Sequence, residues 1–179
     1  KRGFPVEIDG EPYVVVEYER NKMQKRAPVM RIRFRSLRTG RVLDRTFQGN
    51  DVKLKPASIE RKNAQYIYRD GGFYYFMNID NFDQFPISSE QLETALPYLI
   101  EQTMVEVVFY QGAAISIDLP TNVELIVVEA SPGFRGDTAQ GGTKPVKLET
   151  GLSIQVPLFV EEGATIIVDT RTGEYVSRV

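Results

Sequence analysis

"PVMRIRFRSLRTGRVLDRTF", Pro28–Phe47, is the stretch on which the reading of the fold turns. Met30, Ile32 and Phe34 alternate with Arg31, Arg33 and Arg35. Only an extended strand converts a period of two into one apolar face and one charged face. Thr39-Gly40 then interrupts the pattern as a hairpin turn, and "RVLDRTF" returns beside the first run. Upstream, "EPYVVVEYE", Glu11–Glu19, is rich in β-branched and aromatic residues and reads as a third strand. Between these strands, "RNKMQKRA", Arg20–Ala27, has no apolar periodicity and reads as a solvated loop at a hairpin tip.

The rest of the chain repeats this grammar. "AQYIYRDGGFYYFM", Ala64–Met77, supplies two aromatic strands joined at Asp70-Gly71-Gly72, and "MVEVVFYQGAAISIDLP", Met104–Pro120, supplies another hairpin around Gln111-Gly112. Between them, "ISSEQLETALPYL", Ile87–Leu99, places Ser88 three residues before Gln91, a capping-box pattern that predicts one short helix ended by Pro97. Four or five strands with one short helix suit a small Greek-key barrel of the OB type. A third unit follows with "TNVELIVVEA", "LSIQVPLFV", "ATIIVDT" and "EYVSRV", broken by the long Gly/Pro/Thr loop "SPGFRGDTAQGGTKP", Ser131–Pro145. Loops of that length are often functional. "DGEPY", Asp9–Tyr13, is loosely echoed by "DGGFY", Asp70–Tyr74, a weak hint of related barrels. The expected fold is all-β, with three small barrels in series over residues 1–56, 57–119 and 120–179.

Composition excludes several chemistries. The chain has 179 residues, no cysteine and no histidine. Disulfides, thiolate catalysis, imidazole metal sites and His-dependent relays are therefore absent. No GxxxxGK[ST] or GxGxxG motif occurs, which argues against nucleotide hydrolysis. No cofactor or metal is expected. No apolar run is long enough to span a membrane and no leader is visible, so a cytoplasmic protein is expected. The net charge is −2, yet residues 1–56 hold 14 Lys and Arg against 7 Asp and Glu, and residues 57–179 hold 8 against 17. A basic head on an acidic body points to a polyanion at one end.

The residues also carry a family resemblance. "KPVKLETGLSIQVPLFVEEG", Lys144–Gly163, followed by "VDTRTGEYVSRV", closely resembles the signature of bacterial elongation factor P, and "DGEPYVVVE", "SLRTGRVLDRTF", "YIYRDGGFYYFM" and "LPTNVELIVVEASPGFRGDT" agree with it in order. The chain opens without Met, and the family's first residues are expected to precede it. The resemblance implies an SH3/KOW-like barrel followed by two OB barrels, in an L-shaped outline like that of transfer RNA. It implies a monomer that binds the 70S ribosome between the peptidyl and exit tRNA sites. There it promotes peptide bond formation at consecutive prolines by positioning peptidyl-tRNA, without being an enzyme.

Site residues follow from the same resemblance. The tip that reaches the CCA end of peptidyl-tRNA falls on Lys25, with Arg26 as the alternative. In the family this position is often modified, which makes a tip-modifying enzyme a candidate partner. Here Met23-Gln24-Lys25-Arg26 replaces the glycine-flanked tip of many members. Lys22, Arg31, Arg33 and Arg35 are candidate RNA-phosphate contacts. Gly136, Asp137 and Thr138 map to the loop near the exit-site codon, and Tyr175 and Arg178 to the end facing small-subunit RNA. Each has a plainer reading: a solvated strand face for the arginines, turn chemistry for Gly136-Asp137-Thr138, barrel closure for Tyr175. Phe73, Tyr74, Tyr75 and Phe76 fit either a base-stacking platform or, by alternation, a half-buried strand. A generic RNA-binding module of KOW-like and OB barrels is the alternative function, and a carboxylate-pair hydrolase a third.

Overall fold

The computed structural model describes residues 3–21, 27–49, 52–132 and 141–179. Among these residues the fold is all-β, with three five-stranded sheets. The first sheet contains β1 (Pro5–Ile8), β2 (Glu11–Asn21), β3 (Val29–Ser36), β4 (Val42–Gln48) and β5 (Lys55–Pro56), in the order β4-β3-β2-β1-β5. Asp9 and Gly10, with φ of 52° and 80°, form the two-residue turn between β1 and β2. Positive φ at both central positions matches the right-handed twist of the strands they join. On β3 the alternation holds: Ile32 and Phe34 are buried and Arg31, Arg33 and Arg35 are exposed. Val6, Ile8, Val15, Ile32 and Phe34 form the core, with Phe47 meeting Phe34 edge-on at 6.5 Å. Burying Ile32 and Phe34 contributes roughly 1.5–3 kcal/mol apiece, which commits β3 to this face.

The second sheet contains β6 (Ile59–Asp70), β7 (Phe73–Asn78), β8 (Gln84–Ser88), β9 (Met104–Tyr110) and β10 (Ala113–Asp118), in the order β10-β9-β6-β7-β8. The third contains β11 (Asn122–Ala130), β12 (Thr143–Leu148), β13 (Ser153–Pro157), β14 (Thr165–Asp169) and β15 (Tyr175–Arg178), in the order β13-β12-β11-β14-β15. In the second sheet Asp70-Gly71-Gly72 falls at the β6–β7 connection and Gln111-Gly112 at the β9–β10 connection.

The chain packs into two compact units, Lys1–Lys62 with Val107–Ile117, and Asn63–Glu106 with Asp118–Val179. Within the first, Ala57, Val108, Tyr110 and Ile115 form a further apolar cluster against Leu37 and Ile59, and the Tyr110 hydroxyl donates to the Gly10 carbonyl at 3.4 Å. Within the second, the core of the third sheet includes Leu125, Leu148, Val156, Ile166 and Val168, with Tyr98 and Ile100 packed against it.

The short helix expected between Ser88 and Pro97 does not form. Ser89–Ala95 is a series of turns, followed by a single 3-10 turn at Leu96–Tyr98. The capping-box bonds are nevertheless made: the Gln91 amide N–H donates to Ser88 Oγ at 3.4 Å, and the Ser88 amide N–H donates to Gln91 Oε1 at 3.4 Å. Beyond them the N–H groups of Leu92, Ala95 and Tyr98 each reach back three residues, to Ser89, Leu92 and Ala95. Pro97 has no N–H to offer and disfavours helical geometry at Leu96, so tight turns replace the second helical turn.

Candidate nucleic-acid interface

The long β2–β3 hairpin presents the arginine row. Its outward face is built by register: Arg31, Arg33 and Arg35 on β3 stand opposite Thr46, Asp44 and Val42 on β4. On the other side Arg33 stands opposite Glu17 and Arg31 opposite Glu19 on β2. A bulge between Val15 and Glu17 makes that second match. Without the extra residue, Val16 and Tyr18 would occupy the places beside the arginines.

The result is an ion network across three strands. Arg33 Nε donates to Asp44 Oδ1 at 3.0 Å, Arg33 Nη2 to Asp44 Oδ2 at 3.4 Å, and Arg33 Nη1 to Glu17 Oε2 at 3.3 Å. Arg31 Nη2 also donates to Asp44 Oδ2, at 3.2 Å. All three nitrogens of the Arg33 guanidinium are thus engaged by carboxylates. The hydrogen bond from Arg33 holds the Asp44 carboxyl below its ordinary value, against an opposing push from desolvation and with the charges of Arg33 and Arg31 adding to it. Arg35 has no ion-pair or hydrogen-bond partner for its side chain among the described residues. Arg31 and Arg33 are joined through Asp44, and Arg35 stands apart from them.

The other expected site residues divide by position. Lys22, Lys25 and Arg26 lie outside the described residues, between the ends of β2 at Asn21 and β3 at Val29. Gly136, Asp137 and Thr138 also lie outside them, between β11 and β12. Tyr175 packs against the core of the third sheet, whereas Arg178 is exposed with its guanidinium 5.7 Å from the centre of the Phe159 ring. On β7, Phe76 is buried and Phe73 exposed. Tyr75 stacks on Tyr68 with ring centres 4.6 Å apart and planes 7° apart. A shift in register between Tyr66 and Tyr68 brings Tyr68 opposite Tyr75.

Sequence reading missed two features here. The first is the set of counter-charges, Glu17, Glu19 and Asp44. Asp44 was legible, because the Thr39-Gly40 turn sets the β3–β4 pairing. The bulge that aligns Glu17 was not. The second is Lys144, which is buried and donates from Nζ to the Ser131 carbonyl at 2.8 Å, holding the end of β11 against β12. Its alternation with Val146 and Leu148, both buried, was the available signal. Among the described residues no cluster of three or more His, Cys, Asp or Glu is arranged to hold a metal ion, and no helix is long and apolar enough to cross a membrane.

Comparison with known proteins covers the chain in three parts. The profile of the elongation factor P KOW-like domain matches residues 1–52, that of the elongation factor P OB domain residues 59–117, and that of the elongation factor P C-terminal domain residues 123–178. Elongation factor P of Desulforudis audaxviator is 47% identical over 178 residues, covering 99% of this chain and 96% of that protein. Elongation factor P of Caldanaerobacter subterraneus subsp. tengcongensis is 45% identical over 179 residues, covering 100% of this chain and 96% of that protein. Among solved structures, translation initiation factor 5A from Methanococcus jannaschii shares the fold over 66% of this chain and 88% of its own, with a TM-score of 0.51 at 18% identity. Three domain profiles in order and relatives matched from end to end place this chain in the elongation factor P family.

Proposed function

We propose that this chain binds the ribosome between the peptidyl and exit tRNA sites and promotes peptide bond formation at consecutive prolines. Membership of a family of translation elongation factors, over nearly the whole length of the relatives, is the observation that carries this reading. It works by position, not by chemistry of its own. Proline is a poor reactant because its ring constrains the backbone. Holding the peptidyl-tRNA end in a reactive pose lowers such a barrier without any group transferring a proton.

In this reading the domains are residues 1–56, 57–119 and 120–179. The β2–β3 hairpin carries the tip, with Lys25 against the CCA end and Arg26 beside it, and a tip-modifying enzyme is a further candidate partner. Lys22, Arg31, Arg33 and Arg35 meet RNA phosphates, Gly136-Asp137-Thr138 lies near the exit-site codon, and Tyr175 and Arg178 face small-subunit RNA. The long hairpin with an exposed arginine row supports the first part of this assignment. Reconstituted synthesis through three consecutive prolines, with the chain added or omitted, tests the function. The expected result is faster synthesis of that product only. Equal rates with and without the chain, or equal acceleration of a proline-free control, would contradict it.

A further inference from the structure

The arginine row of β3 is largely neutralised by the chain's own carboxylates. Arg33 directs all three of its nitrogens at Asp44 and Glu17, and Arg31 shares Asp44 with it. A phosphate approaching Arg33 therefore meets three engaged nitrogens, one approaching Arg31 meets a single engaged nitrogen, and both meet a carboxylate of their own sign. Like charge beside a binding site is a common way of rejecting a partner. The arrangement contributes little to stability, since exposed ion pairs are worth about 0–1 kcal/mol. It costs binding, because the carboxylates must be displaced before phosphates are engaged.

We propose that Asp44, assisted by Glu17, is a specificity-determining residue that competes with RNA phosphates for Arg31 and Arg33 and so suppresses indiscriminate RNA binding by this face. The proposal rests on the reading that the face meets RNA. Arg35, with no partner among the described residues, is the open donor of the row. A flexible single strand gains only Arg35. A folded RNA surface whose phosphates are already spaced to replace Asp44 at both Arg31 and Arg33 recovers the cost of displacing it, through two guanidinium contacts instead of one. The bulge in β2 belongs to the device, because it brings Glu17 opposite Arg33.

The probe is a labelled oligouridine, with binding to the full chain followed by fluorescence anisotropy over a salt series and folding checked by circular dichroism. Asp44→Asn should tighten binding about twofold to fivefold, the equivalent of releasing an exposed ion pair. It should also steepen the dependence of log affinity on log salt by about 0.7 for each phosphate gained. Glu17→Gln removes a single bond to Arg33 and should act in the same direction, more weakly. It also serves as the test if Asp44→Asn fails to fold. Arg35→Gln should weaken binding in the wild-type background. Unchanged or weaker oligouridine binding in a folded Asp44→Asn or Glu17→Gln variant would overturn the proposal. That outcome would leave proline-run synthesis untouched, so the two readings fail separately.

Discussion

Gly173 and Tyr98 meet inside the second unit, and their contact shows how one missing atom secures a junction. Gly173 has φ of 75°, and a Cβ there would lie 2.9 Å from the Tyr98 hydroxyl oxygen. The same 3-10 turn that carries Tyr98 accepts a hydrogen bond at the Pro97 carbonyl from Thr150 Oγ1, at 2.6 Å. A side chain at 173 is thus opposed both by backbone geometry and by a neighbour that is itself held. Gly173→Ala should cost about 1–2 kcal/mol from the left-handed backbone alone, with crowding added. Thermal unfolding of Gly173→Ala beside the double variant Gly173→Ala, Tyr98→Phe separates the two parts. The double variant should recover some of the lost stability and retain a deficit. A single variant as stable as wild type would show that the junction yields freely at this point.

At the scale of the element, the β14–β15 turn is closed by its own ion pair. Asp169 accepts from the Arg171 side chain at 2.8 Å through Oδ2 and at 3.2 Å through Oδ1, and from the Arg171 amide at 2.8 Å. These side-chain bonds, followed by the backbone bond, hold the Asp169 carboxyl down at about 2. A carboxyl lowered on folding contributes stability that is complete above its unfolded value of about 3.9 and is lost as pH falls through the folded value. Asp169→Asn should therefore melt below wild type at neutral pH, with the difference closing between about pH 4 and pH 2. A constant offset down to pH 2 would contradict the assignment. The turns were the legible part of these elements. Thr39-Gly40, Gly71-Gly72 and Gln111-Gly112 are read directly because few residues accept the geometry they impose. The segment after Ser88 misled for a physical reason: capping contacts satisfy the first amides whether or not a helix follows, and Pro97 decided against one. The β2 bulge left no trace in the pattern, because "YVVVEYE" alternates acceptably in either register. With it went half of the arginine network, since Glu17 reaches Arg33 only across that bulge.

Across the whole molecule, charge is the organising feature. The 14 basic residues of positions 1–56 and the 17 acidic residues of positions 57–179 give the two ends opposite sign. Within this basic end, Arg31 and Arg33 on β3 are ion-paired with Asp44 and Glu17, whereas the proposed tip falls in a stretch with no acid between Arg20 and Arg35. Affinity and rate should therefore separate. In the proposed reading many phosphate contacts would hold the factor on its site, and a single tip residue would act on the reactive geometry. Each lost factor of ten in rate corresponds to about 1.4 kcal/mol of barrier, within reach of one positioned contact. The direct test is synthesis through three consecutive prolines with Lys25→Ala and Arg26→Ala at saturating concentration, with ribosome affinity measured in parallel. Lys25→Ala should bind nearly as well as wild type and lose about tenfold or more in rate, with a smaller loss for Arg26→Ala. Full rescue by Lys25→Ala, or a rate loss that vanishes when more protein is added, would contradict positioning by the tip.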